Sequence, residues 1–432
     1  MDKHDDPDTF RFDTHFNAPP DLLRKRLLNH SNVVFGYYFN QLLISGSLPD
    51  NVTSLTVGDS FDRPIQPNTL PPALRKLHFG HTFDQQLLPG GLPNSIITIT
   101  FDRLFNQEIP VGSLPASLTS LRLSRMFNRA FLVGSLPETL IELDVGEDFN
   151  QPIDPGALPA SLIRLRFGEM FNTSLYKQSL PLGLLELKFG RVYSKKFDHP
   201  LPPALRKLNL SGSSYNHPFA SRILPSTLDH LILGRDFKCD IEVPLPSSIT
   251  RLSFGGFARP LTIDTLPSSL QRLTFGSDFN HPVEPGILPR SLTKLSFGNQ
   301  FISTFNPGLL PSLSDLIFTG QFNQPLSLAN LLPSLTCLTL SCNYVQPLAR
   351  NMFPASLQTL KFKFVNSRKN IKSQSDAPYC HDLLDFSNVN IHIVIWLEDH
   401  IMYLRVMDDD YSLILSDNFE GRIVKNTTVF VD

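Results

Sequence analysis

The stretch FNQPIDPGALPASLIRLRFG, residues 149–168, recurs with small changes along most of the chain. In each copy a proline follows leucine, or phenylalanine in the last copy, and successive prolines of this kind are 21 to 23 residues apart. The fifteen anchors are Pro49, Pro71, Pro93, Pro115, Pro137, Pro159, Pro181, Pro202, Pro225, Pro246, Pro267, Pro289, Pro311, Pro333 and Pro354. A fixed period of this length around a Leu-x-x-Leu-x-Phe segment is typical of leucine-rich-type solenoids.

One repeat is too small to fold alone. It offers about six inward apolar side chains worth roughly 1.5–3 kcal/mol each, against an ordering cost of about 1–2 kcal/mol for every residue. Stacked copies bury both faces of each coil, and each short Leu-x-Phe strand pairs with the strands before and after it. The sequence therefore predicts a β-rich solenoid, a right-handed leucine-rich-repeat-like coil with one short parallel strand per 21–23-residue repeat.

The other repeated residues predict the return path of each coil. Prolines such as Pro152 and Pro159 remove N–H donors and favour extended backbone, so the convex side is predicted to be non-helical. The glycine after the strand, such as Gly168, suits a bend where a side chain would obstruct the next coil. The phenylalanine of each Phe-Asn pair is expected to form an inward spine, and the neighbouring asparagine or aspartate to satisfy backbone groups of the adjacent turn.

The motifs Phe-Asn-x-Pro-Ile/Leu and Leu-Pro-x-Ser-Leu-x-x-Leu-x-Phe-Gly resemble those of the FNIP repeat family, which is related to leucine-rich repeats. The resemblance covers residues 39–366. It implies a repeat scaffold for protein binding. Some members of the family also carry an F-box or a kinase domain, but the sequence shows no Gly-x-Gly-x-x-Gly or His-Arg-Asp…Asp-Phe-Gly set and no convincing F-box.

Three segments are predicted. Residues 1–38 form an N-terminal cap with a degenerate repeat and a short helix over residues 21–28, for which Asp21 is the expected N-cap. Residues 39–366 form the solenoid of about fifteen repeats. Residues 367–432 form a connector and a small β-rich unit, with strands expected at residues 390–396, 401–406, 411–415 and 422–431. This unit is interpreted as a cap on the last coil, with an independent ligand-binding module as the alternative.

Composition limits the classes of function. A net charge of −2 gives no global reason to expect nucleic acid or an anionic membrane as partner. The polar N-terminus and the absence of a long apolar run favour an intracellular, cytoplasmic chain. The four cysteines lack metal or disulfide spacing and are interpreted as buried free thiols, and Cys380-His381 with His392 and His400 fits no zinc frame. No catalytic, cofactor or metal site is predicted, and His199, His217 and His281 are interpreted as variants of a repeat position that holds glutamine elsewhere.

The residues that flank the central leucine of each strand point away from the core and form the outward face of the predicted concave sheet. This face carries ten lysine or arginine and four acidic residues. Arg122, Asp144 and Arg166 are expected to face one another on neighbouring strands, as are Glu142, Arg164, Glu186 and Lys207. These pairs are interpreted as a structural ladder.

A second group on this face contains His230, Arg251, Arg272 and Lys294 in one column, with no acid in that column before Asp315. Like charges on adjacent strands repel. Either these side chains spread into solvent without a function, or the column binds an acidic segment of a partner protein, with Ile232 and Ile317 as apolar contacts at its borders.

The sequence thus favours a non-enzymatic protein–protein interaction scaffold. Substrate recognition in a ubiquitin-ligase-type complex is a second hypothesis that rests on family analogy alone, and it would require a contact from the Leu22–Leu28 segment. Nucleic-acid binding by the basic column is disfavoured because no aromatic residues alternate with the charges. The oligomeric state is left open.

Overall fold

A computed structural model describes residues 8–19, 24–341, 343–344, 346 and 350–363, and the backbone of four later strands between residues 392 and 425. The chain forms two compact units. The first comprises Met1–Tyr215 with Ser221–Leu228, and the second comprises Asn216–Ala220 with Asp229–Asp432.

The first unit is a β-solenoid with ten parallel strands in its described part. Each strand pairs in register with the next one along the chain. The elements are β1 Thr9–Arg11, α1 Arg24–Leu27, β2 Asn32–Val34, β3 Ser54–Thr56, β4 Lys76–Phe79, β5 Thr98–Phe101, β6 Ser120–Arg122, β7 Glu142–Asp144, β8 Arg164–Arg166, β9 Glu186–Lys188 and β10 Lys207–Asn209.

The second unit continues the same construction and ends differently. Strands β11 to β18 are parallel and in register, and β18 to β21 are antiparallel. The strands are β11 His230–Ile232, β12 Arg251–Ser253, β13 Arg272–Thr274, β14 Lys294–Phe297, β15 Asp315–Phe318, β16 Cys337–Ser341, β17 Thr359–Lys363, β18 His392–Trp396, β19 Ile401–Val406, β20 Tyr411–Leu415 and β21 Gly421–Lys425.

The predicted solenoid is confirmed, including its non-helical return path. In the described part of the chain, helical structure is confined to α1 and one 3-10 turn at Arg350–Met352. The helix predicted over residues 21–28 is present as α1, which has four residues and a fully buried Leu27. Asp21 lies outside the described residues, as does the predicted connector.

The ends of the chain contribute strands to the sheets. Strands β1 and β2 lie within the segment predicted as the N-terminal cap and pair with each other, and β2 pairs with β3. Near the C-terminus, β18 pairs with β17 and is followed by the antiparallel β19 to β21. The boundaries at residues 38 and 366, and the capping role of these ends, stay predictions.

The core is built from the apolar positions of the repeat. In the quoted stretch, Leu162, Leu165 and Phe167 are at most 2% exposed. Phe149 stacks between its counterparts Phe127 and Phe171, with ring centroids 6.1 and 6.0 Å apart. The predicted phenylalanine spine is therefore present. Because each buried ring packs against the rings of the coils before and after it, the spine stabilises the contact between neighbouring repeats.

Neighbouring coils diverge away from the sheet. At the strand side, the rings of Phe79 and Phe101 are 4.8 Å apart and nearly parallel. In the same two coils, the spine rings of Phe83 and Phe105 are 6.1 Å apart. Because the spacing is smaller at the strands than at the spine, the sheet lies on the concave side of these coils.

A ladder of asparagine and aspartate side chains runs beside the spine. The Oδ1 atom of Asn128 accepts a hydrogen bond from the backbone N–H of Asn150, and Asn150 does the same for Asn172. The same contact joins Asn40 to Asp62 and Asp62 to Asp84. These bonds satisfy backbone donors that the turn leaves unpaired, as the sequence predicted.

The glycine that follows most strands is required by close approach of the preceding coil. A Cβ atom on Gly168 would lie 1.7 Å from the carbonyl oxygen of Gly146, and one on Gly190 would lie 2.0 Å from that of Gly168. These distances are far below van der Waals contact. The bend predicted from the sequence therefore leaves no room for a side chain at these positions.

One turn position on the return path has a left-handed conformation in most coils. Its backbone φ lies between +63° and +87°. The residues are Gly46, Asn68, Gly90, Gly112, Gly134, Gly156, Gln178, Arg222, Asp264, Gly286 and Gly308. A side chain in this region costs about 1–2 kcal/mol, which explains the preference for glycine.

Replacing Gln178 by glycine is therefore expected to raise the free energy of unfolding by roughly 0.5–1 kcal/mol, because relief of the left-handed strain exceeds the added entropy of the unfolded chain. Urea denaturation followed by circular dichroism measures the change. Gln66→Gly is the control, since Gln66 is exposed and not among the residues with positive φ. It should lower stability, and a similar loss for Gln178→Gly would contradict the prediction.

Candidate functional site

The outward face of each sheet is formed by the two residues that flank the central buried leucine of a strand. In β8, Arg164 and Arg166 are exposed and Leu165 is buried. Successive side chains of a strand point to opposite faces, so this alternation repeats from strand to strand. Because the strands are in register, equivalent residues of neighbouring coils form columns across the face.

In the first unit, several oppositely charged residues face each other along these columns. Arg164 forms an ion pair with Glu142, and the Lys207 Nζ lies 3.6 Å from the Glu186 Oε2. In the neighbouring column the Arg166 Nε lies 3.8 Å from the Asp144 Oδ2. This is the predicted ladder, in which each exposed pair contributes about 0.2–1 kcal/mol.

The same face carries a shallow depression of about 390 Å³. Its lining includes Arg122, Glu142, Arg164, Glu186 and Lys207, which are members of the ladder or stand beside it. With Asp144, Arg166 and Lys188 the lining holds five basic and three acidic side chains, so its charges are mixed and only partly compensated.

The second unit places the predicted basic residues in one column. His230, Arg251, Arg272 and Lys294 are aligned in the register of β11 to β14, and Asp315 follows in β15. In the adjacent column, Ile232 lies on β11 and Ile317 on β15, and the column continues with Thr339 on β16. Only Ser253, Thr274 and Ser296 lie between these two isoleucines in the register. The predicted alignment of the site residues is therefore observed.

One charge relation in this column differs from the expectation. The Arg251 Nη2 lies 2.9 Å from the Oδ1 of Asp229, the residue immediately before β11. Asp229 reaches the column from the preceding turn and lies outside the strand positions from which the column was predicted. The carboxylate of Asp229 therefore offsets part of the positive charge that Arg251 adds to the column.

Arg272 and Lys294 differ from Arg251 in having no carboxylate partner among the described residues. Neither forms an ion pair within 4 Å in the part of the chain that the structure describes. Arg272 is exposed and Lys294 is half-buried. The two residues are register partners on the adjacent strands β13 and β14.

The cysteines differ from their predicted burial. Cys239 and Cys337 are free but only partly buried. Burial, followed by the nearby carboxylates of Asp240 and Glu242, raises the pKa of the Cys239 thiol. A raised pKa lowers the thiolate fraction, which makes this thiol a weak nucleophile. Cys342 and Cys380 lie outside the described residues, as do the side chains of the Cys380–His381, His392 and His400 group.

Histidine and tyrosine occupy structural positions of the repeat. The His281 Nε2 lies 2.8 Å from the carbonyl oxygen of Ala258, a contact to the preceding coil like that of Gln324 with Ile302. Tyr193 replaces a spine phenylalanine, and burial is the main cause that raises its pKa. Burial also raises the pKa of Tyr344 to about 12. Both phenols therefore stay protonated at physiological pH.

In the described residues, no helix is both long enough and apolar enough to cross a membrane.

Comparisons with known proteins agree with the repeat architecture. A family model described as FNIP Repeat matches the chain in ten segments that together span residues 32–364. The crystal structure of CroV588, a circular leucine-rich-repeat protein, is similar to this chain with a TM-score of 0.72 and 33% sequence identity. The similarity covers 85% of this chain and 53% of CroV588, so the chain spans about half the length of that protein.

Two further solved structures are more distant. YopM from Yersinia enterocolitica WA-314 is 21% identical, with a TM-score of 0.38 over 78% of this chain and 82% of its own. An internalin, InlF, from Listeria monocytogenes is 12% identical, with a TM-score of 0.33 over 79% of this chain and 80% of its own. No curated protein matches the sequence.

The family model covers well over half of the sequence, and the repeat it describes corresponds to the coils observed in both units. The fold is a leucine-rich-repeat-like solenoid, an architecture typical of protein–protein interaction scaffolds. The chain belongs to the FNIP repeat family.

Proposed function

We propose that this protein is a non-enzymatic scaffold that binds an acidic segment of a partner protein on the outward face of its second unit. The contact residues are His230, Arg251, Arg272 and Lys294, with Ile232 and Ile317 at the borders. The observation that carries the proposal is the alignment of Arg272 and Lys294 on adjacent strands with no ion pair among the described residues.

The dimensions of the surface suit an extended peptide. Strands in a sheet are about 4.8 Å apart, so Ile232 and Ile317, four strands apart, are separated by about 19 Å. An extended chain of about six residues spans this distance at about 3.3 Å per residue. A segment with apolar ends and acidic residues between them would complement both columns.

Two features make binding more favourable than leaving the column in solvent. An acidic partner removes the repulsion between like charges on adjacent strands. The short hydroxyl side chains of Ser253, Thr274 and Ser296 leave space between the isoleucines for a bound backbone. The energy would come mainly from the charged contacts, so binding should weaken as the salt concentration rises.

The first test uses a synthetic peptide with an isoleucine at each end and five acidic residues between them, so that the two isoleucines are six steps apart and point to the same face. Fluorescence anisotropy measures its affinity for the wild-type chain and for a variant with Arg272→Glu and Lys294→Glu. We expect the double variant to bind at least about tenfold more weakly, a difference of about 1.4 kcal/mol. The difference should shrink at high salt.

The matched control is a variant with Arg235→Glu and Arg290→Glu. It makes the same change of charge at two exposed positions of the second unit that lie outside the columns. Circular dichroism checks that both variants are folded. Equal peptide affinity for the two double variants would show that binding follows net charge, and the proposed column would be rejected.

The second test identifies natural partners by affinity purification and quantitative mass spectrometry with the same three proteins. Partners that use the column should be lost from the Arg272→Glu/Lys294→Glu sample and kept in the control sample. An identical set of partners in all three samples would contradict the proposal.

A further inference from the structure

A second group of polar residues lies in the first unit, in the bends that follow β3, β4 and β5. Asp59 and His81 come directly after the bend glycines Gly58 and Gly80, and Asp102 follows Phe101, the last residue of β5. One ligand atom from each of Asp59, His81 and Asp102 can be chosen so that all three lie within 4.8 Å of one another. Three successive coils thus bring an imidazole and two carboxylates together.

The distances show how the group is arranged. The His81 Nδ1 lies 2.9 Å from the Asp59 Oδ1. The Nε2 of a second histidine, His78, lies 3.3 Å from the Asp102 Oδ2. His78 is an outward residue of β4, so the sheet face and the bend meet at Asp102. The side chains of Asp59 and Asp102 are each about one-third exposed, which leaves them open to solvent ions.

Asp102 departs from the rule that governs this bend. It occupies the position of Gly58 and Gly80 in the two preceding coils. At Gly80 a Cβ atom would lie 2.5 Å from the carbonyl oxygen of Gly58. The coil of Asp102 therefore accommodates a side chain at a position where the two preceding coils exclude one, and so does the following coil, which has Ser124 there. That side chain is a carboxylate which faces His78 and the Asp59–His81 pair.

We propose that Asp59, His81 and Asp102 form a binding site for a divalent first-row transition metal ion such as Zn²⁺. Imidazole nitrogen and carboxylate oxygen both bind Zn²⁺ at about 2.0–2.2 Å, whereas Mg²⁺ and Ca²⁺ prefer ligand sets made of oxygen alone. Small side-chain rotations of these partly exposed residues bring the three donors to that distance, and the remaining coordination positions stay open to water.

His78 is assigned a positioning role. Its contact with the Oδ2 of Asp102 orients the carboxylate and leaves the other oxygen available to the metal. Hydrogen bonds to ligating carboxylates commonly affect metal affinity in this way. The bound ion would also link three consecutive coils, so it would stabilise the first unit against local opening.

The test measures Zn²⁺ binding by isothermal titration calorimetry and the change in Tm on addition of Zn²⁺ to the whole chain. Co²⁺ serves as a spectroscopic probe of nitrogen and oxygen ligation. The key variant is Asp102→Gly, because it introduces the glycine that the two preceding coils carry at this position and removes one ligand. Its fold in the absence of metal is therefore expected to be intact.

His81→Ala removes a second ligand, and His281→Gln is the matched control. His281 contacts the preceding coil through a position that holds glutamine in other repeats, so its loss should leave the site unaffected. We expect one Zn²⁺ site with an affinity that falls at least tenfold in Asp102→Gly and His81→Ala, together with loss of the Zn²⁺-dependent rise in Tm. The control should behave like the wild type.

Two outcomes would overturn the proposal. If the wild type, Asp102→Gly and His81→Ala bind Zn²⁺ equally well, the ion binds elsewhere in the chain. If the wild type shows no binding at a Zn²⁺ concentration of about 1 mM, any Kd is above about 1 mM, which corresponds to a binding free energy weaker than about −4 kcal/mol. The group would then consist of histidine–aspartate contacts only.

Discussion

Replacing Gly168 by alanine is expected to lower the free energy of unfolding of the first unit by at least about 3 kcal/mol. The added Cβ would lie 1.7 Å from the carbonyl oxygen of Gly146 and 2.6 Å from the Cα of Glu147. These are backbone atoms, so no side-chain rotation relieves the overlap. The coils must separate, which strains the hydrogen bonds between β7 and β8. Urea and thermal unfolding followed by circular dichroism measure the loss.

Gly156→Ala provides the control for the Gly168 prediction within the same repeat. Gly156 has a φ of +82°, and a Cβ atom there would meet nothing within 4 Å. This substitution is expected to cost about 1–2 kcal/mol, the penalty of a left-handed alanine without a clash. If both variants lose the same stability, close approach of the coils is not the reason for the bend glycines.

Replacing Phe149 by alanine is expected to lower the free energy of unfolding by about 3–5 kcal/mol. Phe149 is fully buried and stacks between Phe127 and Phe171, and Phe131 lies 5.3 Å away, centroid to centroid. Truncation leaves a cavity between coils that are held in place on both sides, so the neighbours fill it poorly. The same unfolding measurements apply.

Phe149→Leu and Val133→Ala test the origin of this loss. The leucine variant fills part of the cavity, so it should recover part of the stability. Val133 is 65% exposed, and its truncation should change stability by less than about 0.5 kcal/mol. A small effect of Phe149→Ala would mean that the spine contributes little to the coupling between repeats.

Much of the fold could be predicted from the sequence because most repeats have the same buried positions, bend glycine and prolines. The period predicted the register, and strands β1, β2 and β18 add parallel strands beyond the fifteen predicted repeats. The Leu-x-x-Leu-x-Phe segment gave the buried face, and the prolines excluded helices from the return path. The strand positions of the C-terminal segment also followed from their alternating pattern, with β18 to β20 within two residues of the expected bounds at each end.

The candidate surface was predictable to the same extent. Arg251, Arg272 and Lys294 are aligned as expected because parallel in-register strands place equivalent positions side by side. The ion pair between Asp229 and Arg251 was missed because Asp229 lies one residue before the strand. The group of Asp59, His81 and Asp102 was missed for a similar reason. A column drawn through the residues at and after each bend glycine would have brought all three together.

The sequence by itself determined which residues face inward, which coil follows which, and why no coil can fold without its neighbours, because these properties depend on the period and on burial. Only the tertiary structure decided which charged side chains pair and how closely the coils approach at the bends. Long exposed side chains can reach several partners on adjacent coils at similar energy. The choice among those partners depends on distances of an ångström or two, which a repeat pattern does not contain.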